Sequence, residues 1–331
     1  MSKKAILVTC LIIVGVLTAL IIPLWWNVFP DPYGIKYQED AYYYSIKLYN
    51  NGECNISTNR RTTLQKAFLK GLSEYKSDVK KLFVTGLYNN IEESAFSYFP
   101  MVETIDLSGE ELITIEQYAF QGCALLKSIN FPSSVTTIKR GAFEGCASLK
   151  AISIPSSVEK FERSVFENCN SLEKVTFSSR VYYIGIDAFR NCSSLKTISP
   201  LYNLERICEN AFANCSNLEP ITIYTGNRAR NTVILKGAFD GCPETAFLQY
   251  GNAYYFGNAD NPYEVLIKAK NDETSCKVHT QTKLIAENAF ANTKVSKINY
   301  DGTLDEFMRK KPSDFGQSCD VCCSDGYRHT R

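Results

Sequence analysis

Few residues in this chain can do chemistry. The 331 residues include two histidines and 13 cysteines. A serine or cysteine nucleophile needs a nearby base, most often histidine. Any such site must therefore use His279 or His329. His279 lies in a strand-like piece before Leu284-Ile285 and reads as an exposed strand residue, while His329, close to the carboxyl end, reads as frayed. Cys319-Asp320-Val321-Cys322-Cys323 is the one cluster with metal-ligand spacing. A structural zinc site usually takes four ligands, and His329 as the fourth gives an unfamiliar spacing. Terminal disulfides involving Cys276 or Cys54 are the stronger reading in an oxidising compartment. No Gly-rich phosphate loop is present. The expectation is a non-enzymatic chain with no catalytic residue, cofactor or metal. A metal-dependent activity in the Cys-rich tail stands as an alternative.

Most other cysteines mean something different. Cys123, Cys146, Cys169, Cys192 and Cys215 are 23 residues apart, and so are Phe120, Phe143, Phe166, Phe189 and Phe212. Cys242 takes the same place after Phe239. A period in the 20s is the mark of a solenoid. Cys is small, apolar and readily buried, so the repeated cysteines read as a thiol column. Coils stacked roughly 5 Å apart leave occasional bridging open.

These residues must be positioned by one repeated unit. In Ala151-Ile152-Ser153-Ile154-Pro155 the apolar positions alternate, which reads as a strand with one buried face. Pro155-Ser156-Ser157 turns the chain, and Ala142-Phe143 reads as a short helical turn. The residue before each column cysteine is Gly122, Gly145, Asn168, Asn191, Asn214 or Gly241. Those are the types that accept a positive φ, so a left-handed, helix-ending turn is expected there. Asn191-Cys192-Ser193 and Asn214-Cys215-Ser216 match the glycosylation tripeptide, but backbone geometry already explains their asparagines. Asn55 in Asn55-Ile56-Ser57 remains the glycosylation candidate.

Charge limits the partners. The 36 basic and 35 acidic residues nearly cancel, which argues against nucleic acid and its demand for a clustered basic face. Ala5 to Val28 is apolar and uncharged, long enough to span a bilayer. Lys3 and Lys4 before it, and Trp25 and Trp26 at its end, orient it with the bulk of the chain outside the cytosol. A cleaved signal peptide is the rival reading. The divisions expected are a cytoplasmic tail at 1–4 and a transmembrane signal-anchor at 5–29. A membrane-proximal segment follows at 30–80, with a capping helix over Thr62 to Tyr75. Repeats then occupy 81–242, a hairpin insertion 243–275, and a last repeat with a Cys-containing cap 276–331.

The pattern AFxxCxSLxxIxIPSSVxxI, from Ala142 to Phe161 and in its copies, resembles the BspA-like leucine-rich repeat surface antigens. Tyr254 to Ile267 resembles an insertion common in that family, and Ile298 to Phe307 with Cys323 to Gly326 resembles its closing unit. Many protist members carry a membrane segment after the repeats, whereas here the apolar segment precedes them. The fold expected is an α/β repeat: a right-handed leucine-rich-repeat solenoid with parallel strands and short helical turns, preceded by one transmembrane helix. The resemblance implies a surface-exposed module for adhesion or ligand recognition. Its partners would be protein or glycan ligands of a host, matrix or microbe, with the membrane contacted through the amino-terminal helix. An intracellular or lumenal interaction scaffold is the alternative.

The outward side of the sheet is the expected binding surface. Counting along the strands gives one column of Asp106, Asn130, Ser153, Thr176, Ser199 and Thr222, and a neighbouring one of Thr104, Ser128, Ala151, Lys174, Thr197 and Pro220. Both lack the aromatic or Arg anchors that dominate interfaces. The Tyr-rich stretch from Tyr250 to Tyr263, with Tyr254 and Tyr255, is the candidate for aromatic contacts.

Overall fold

The 23-residue register becomes a stack of coils, each with three sides. The computed structural model describes residues 34–65, 69–109, 111–224, 233–310 and 318–330. On the front, Thr104–Leu107 pairs in parallel with Ser128–Asn130, and Ala151–Ser153 with Lys174–Thr176 and then Thr197–Ile198. On the second side, two-residue strands stack in the same way, as at Lys160–Phe161, Tyr183–Ile184, Arg206–Ile207 and Val233–Ile234. Residues at the same repeat position are direct neighbours, so each repeated type forms a row.

The rows explain the repeated residues. Phe96, Phe120, Phe143, Phe166, Phe189, Phe212 and Phe239 form one continuous stack, with ring centroids 5.2–5.5 Å apart and planes within 14° of parallel. Beside it runs the thiol column. The thiol of Cys169 donates to the carbonyl of Phe143 at 3.2 Å, and that of Cys192 to Phe166 at 3.1 Å. Cys123, Cys146, Cys215 and Cys242 repeat the bond to the phenylalanine one coil back. All six are free thiols, as are the six other described cysteines.

The third side corrects the α/β expectation. The Ala-Phe segments are stacked turns, and the repeats contain no α-helix among the described residues. Two residues per coil, four apart, hold a left-handed backbone: Ser164 (φ 55°) with Asn168 (φ 62°), and Asp187 (φ 56°) with Asn191 (φ 61°). A left-handed residue on each side of Ala-Phe stops helical propagation. Alternate N–H groups then point at the next coil instead of along their own chain. Phe120 bonds Ala142 O, Phe143 bonds Val165 O and Phe166 bonds Ala188 O, at 2.9–3.0 Å. The class is a β-solenoid.

The transmembrane part of that expectation has no counterpart among the described residues. No helix among the described residues is long and apolar enough to cross a membrane, and the α-helix Leu304–Lys310 has seven residues. The segment 5–29 lies outside the described residues. At 62–75 the chain differs from the capping helix: Thr62 to Leu64 ends the strand Glu53–Leu64, and a short 3-10 helix occupies Gly71–Tyr75. Thr58, Thr62 and Thr63 are β-branched and favour an extended backbone. The coils begin instead on three antiparallel strands, Ile35–Asp40, Tyr44–Tyr49 and Glu53–Leu64, the last pairing in parallel with Lys81–Ile91.

After Cys242 the stack is interrupted. Ala253–Phe256 pairs antiparallel with Leu248–Tyr250 and with Val265–Ala269, and the last of these pairs in parallel with Leu284–Ile285. The strand Val265–Ala269 thereby enters between the coil of Ile234 and that of Ile285. Ala286 N bonds Leu266 O, while Glu287 N still reaches Ile234 O, both at 2.9 Å. The apolar interior divides there into two clusters, the second running from Ala253 to Val321.

Candidate ligand-recognition face

Strand register fixes which side chains share the front face. Asn55 is opposite Phe83, Phe83 opposite Asp106, and Asp106 opposite Asn130. Ser153 is opposite Thr176. These side chains alternate with buried neighbours such as Ile105, Ile152 and Val175, so the pleat turns them outward. Asn55, Asn130, Ser153 and Thr176 are exposed, whereas Asp106, Ser199 and Thr222 are half-buried.

Several of these groups already have partners. Asn130 Nδ2 donates to Asp106 Oδ1 at 3.4 Å, Thr176 Oγ1 donates to Ile152 O at 3.3 Å, and Ser199 Oγ accepts from Phe177 N at 3.0 Å. Thr222 forms an isolated bridge to Gly257. One row further along the strands, Lys127 pairs with Glu103 at 2.8 Å and Lys196 with Glu173 at 3.1 Å. Exposed pairs of this kind are screened by water and contribute little to stability. The face is a shallow bed of small polar groups bordered by self-neutralised charge.

Tyr254 and Tyr255 are corrected as contact residues. They are 3% and 0% exposed, and Tyr254 packs within 5.7 Å of the Phe247 ring. All four residues of Ala253–Phe256 are buried, because the strand is covered on both faces. The half-exposed aromatic groups nearby are Tyr250, Tyr263 and His279, with ring centroids 4.3–5.4 Å apart. His279 lies just beyond Ser275–Val278, and burial lowers its basicity.

The carboxyl-terminal cluster holds free thiols at Cys276, Cys319, Cys322 and Cys323, and Cys54 is free as well. That corrects the expected terminal disulfides. Cys319 is buried and donates to Val295 O at 3.4 Å. Cys322 and Cys323 point to opposite faces of their strand, which separates two of the sulfurs that metal-ligand spacing brought to mind. His329 is not frayed. It lies in the strand Gly326–Thr330, opposite Asp320. Its Nδ1 is 2.7 Å from Asp320 Oδ1 and its Nε2 is 2.8 Å from Ser318 Oγ. The order Ser-His-Asp is that of a hydrolase relay. Here, however, the His329 and Asp320 side chains are 55% and 43% exposed. Water screens interactions of exposed groups, so the arrangement ties the terminal hairpin together.

A family model described as a BspA type leucine rich repeat region matches residues 89–219 in six copies. Over those residues the coils are BspA-type leucine-rich repeats. The solved structures similar to this chain include a leucine-rich repeat protein from Bacteroides ovatus, 20% identical, with a TM-score of 0.47, covering 82% of this chain and 70% of that one. The T. pallidum leucine-rich repeat protein is 21% identical, with a TM-score of 0.45, over 63% of this chain and 92% of that one. A leucine-rich cell surface protein from Faecalibacterium prausnitzii is 16% identical, with a TM-score of 0.35, over 83% and 97%. No curated protein sequence matches this chain.

The front face carries aromatic groups that counting along the strands missed. Phe83 is half-buried in the same row as Asn55 and Asp106. The alternation in Lys81-Leu82-Phe83-Val84 was the available signal, since Leu82 and Val84 are buried and place Phe83 on the other face. Two residues beyond Thr222, Tyr224 stacks on Tyr202 with centroids 4.8 Å apart and planes 7° from parallel. Tyr202 is 45% exposed. No sequence signal pairs these two tyrosines, because they occupy the irregular strand-to-turn region of consecutive coils.

Proposed function

We propose that the outward face of the front sheet binds a protein or glycan ligand outside the cytosol, and that the protein is not an enzyme. One observation carries this reading. Strand register sets Asn55, Phe83, Asp106 and Asn130 in one outward row and Ser153 and Thr176 in another, with the Tyr202–Tyr224 pair on the coils beyond Thr176. Small groups let a ligand approach the sheet closely, and aromatic rings supply the anchors that interfaces favour. Repeat solenoids use extended surfaces of this kind for binding.

The thiol column does not argue for a reducing compartment. The thiolate is the reactive form, and burial pushes the Cys169 thiol up to about 12.

The test is a binding screen of the chain against matrix proteins and arrayed glycans, followed by variants in the second of these rows. Thr176→Arg and Ser153→Arg are expected to weaken the bound ligand by at least about tenfold with the thermal midpoint unchanged. Unaltered binding by both variants overturns the assignment. Protease treatment of intact cells tests the location, and full protection of the repeats refutes it. Labelling of Ser318 by a fluorophosphonate probe would refute the non-enzymatic reading.

A further inference from the structure

The entry of Val265–Ala269 between two coils leaves a polar cleft on the turn side. It has a volume of about 510 Å³ and is lined on one wall by Gly237 and Phe239 and on the other by Glu287, Ala289 and Ala291. Small-molecule and peptide sites fall in this size range. Its walls are two halves of an interrupted backbone ladder. In the coil before, the N–H groups of Asn210, Phe212 and Asn214 donate to the carbonyls of Lys236, Ala238 and Asp240, at 2.7–3.4 Å. The equivalent donors one coil later are those of Gly237, Phe239 and Gly241. They bond no carbonyl among the described residues. Across the cleft, the equivalent acceptors are the carbonyls of Glu287, Ala289 and Ala291. Among the described residues only Ala289 O is taken, by Ala269 N at 2.8 Å.

We propose that this cleft binds an extended peptide segment of a partner protein, which completes the ladder between the Phe239 and Phe290 turns. Three donors two residues apart on one wall match alternate carbonyls of an extended chain. The free acceptors opposite match its N–H groups. The molecule itself supplies the precedent. Its strand Val265–Ala269 enters the same gap and delivers the N–H of Ala269 to that wall before turning away. Lys236 and Lys268 are balanced by Asp240 and Glu287 around the cleft, so the segment that fits is near neutral. A peptide here uses backbone groups that the front face does not, so this site is independent of the one proposed above.

The experiment selects a phage-displayed library of random 12-residue peptides on the full chain and on Ala291→Trp. The positions equivalent to Ala291 carry Glu144, Glu167 and Arg190, so a large side chain is compatible with the turn. Ala291→Trp fills the cleft and leaves the coils intact. Enriched peptides are expected to bind the variant at least about tenfold more weakly, to lose binding when alternate backbone nitrogens are methylated, and to slow hydrogen exchange of Gly237, Phe239 and Gly241. In the free protein those amides are expected to exchange faster than those of Asn210, Phe212 and Asn214. Overturning results are no enriched peptide, equal binding to Ala291→Trp, or equal exchange in the free protein. Peptides lost only in Thr176→Arg belong to the front face, and self-association abolished by Ala291→Trp makes a second copy the occupant; either also overturns the proposal.

Discussion

A cysteine in this solenoid is a hydrogen-bond donor as much as a small apolar filler. Cys169 is fully buried, and its thiol closes on the carbonyl of Phe143. That carbonyl also accepts from Cys146 N at 3.2 Å, so deleting the thiol removes one of its two bonds. A hydrogen bond contributes about 0.5–1.5 kcal/mol net, so Cys169→Ala is expected to lower the urea midpoint accordingly. Cys169→Ser keeps a donor and is expected to cost less. If Ser costs more than Ala, the sulfur acts by volume alone. The same thiols set a pH limit. Burial holds Cys123, Cys169 and Cys242 at about 12, against an ordinary value of 9.0. Above pH 9 the unfolded chain releases these protons while the folded chain keeps them. Stability from the column is therefore complete below pH 9 and is lost as pH rises towards 12. Urea midpoints at pH 7, 9 and 10.5 should show a plateau followed by a fall. A midpoint that stays flat through pH 10.5 would show that the thiols do not ionise differently in the two states.

At the scale of the element, the turn side explains how much was legible beforehand. The 23-residue step and the alternation around Ile152 are visible in the residues, because a row of identical neighbours demands an identical type in each coil. The Gly or Asn before each cysteine is visible for the same reason. Its partner position was not, because Tyr118, Gly141, Ser164, Asp187, Asn210 and Gly237 share no side-chain chemistry, only a positive φ. Missing it turned a pair of left-handed corners into a short helix. That the second strand of the expected hairpin enters between two coils was hidden for another reason: its burial on both faces comes from coils distant in sequence. The asparagines of this side have a second role. Asn214 Nδ2 donates to Asn191 Oδ1, and Asn191 Nδ2 to Asn168 Oδ1, both at 2.8 Å. Those amide nitrogens are committed along the stack, whereas the Asn55 side chain stands exposed on the sheet. Expression in a glycosylating host is expected to modify Asn55 and to leave Asn191 and Asn214 bare. Peptide mapping by mass spectrometry reads this directly, and a glycan on Asn191 would mean that the ladder opens before the coils close. Asn191→Ala forfeits both ladder bonds and loses the short polar side chain that lets asparagine adopt the left-handed region.

The whole molecule is a one-dimensional object with a break. In a stack where each coil touches only its neighbours, stability is a sum of unit and interface terms. The first apolar cluster runs unbroken from Ile46 into the coil of Phe239, along the phenylalanine stack. The stack ends there, since Phe239 meets Phe247 and Phe256 edge-on at 6.2 and 4.9 Å instead of continuing to Phe290. Phe290 belongs to the second cluster with Tyr255, Ile298, Phe307 and Val321. A perturbation in one cluster must cross the entering strand to reach the other. Removing a buried phenylalanine ring costs about 3–5 kcal/mol, enough to open a local unit without unfolding its neighbours. Phe290→Ala is therefore expected to raise amide exchange across 253–323 and leave the coils from Thr104 to Ile207 at their original protection. Phe166→Ala should do the reverse, loosening the central coils most. Hydrogen exchange followed by mass spectrometry resolves the two patterns. If Phe290→Ala lowers protection evenly from Thr104 to Val321, the strand Val265–Ala269 couples the clusters into a single cooperative unit and the break exists in packing alone.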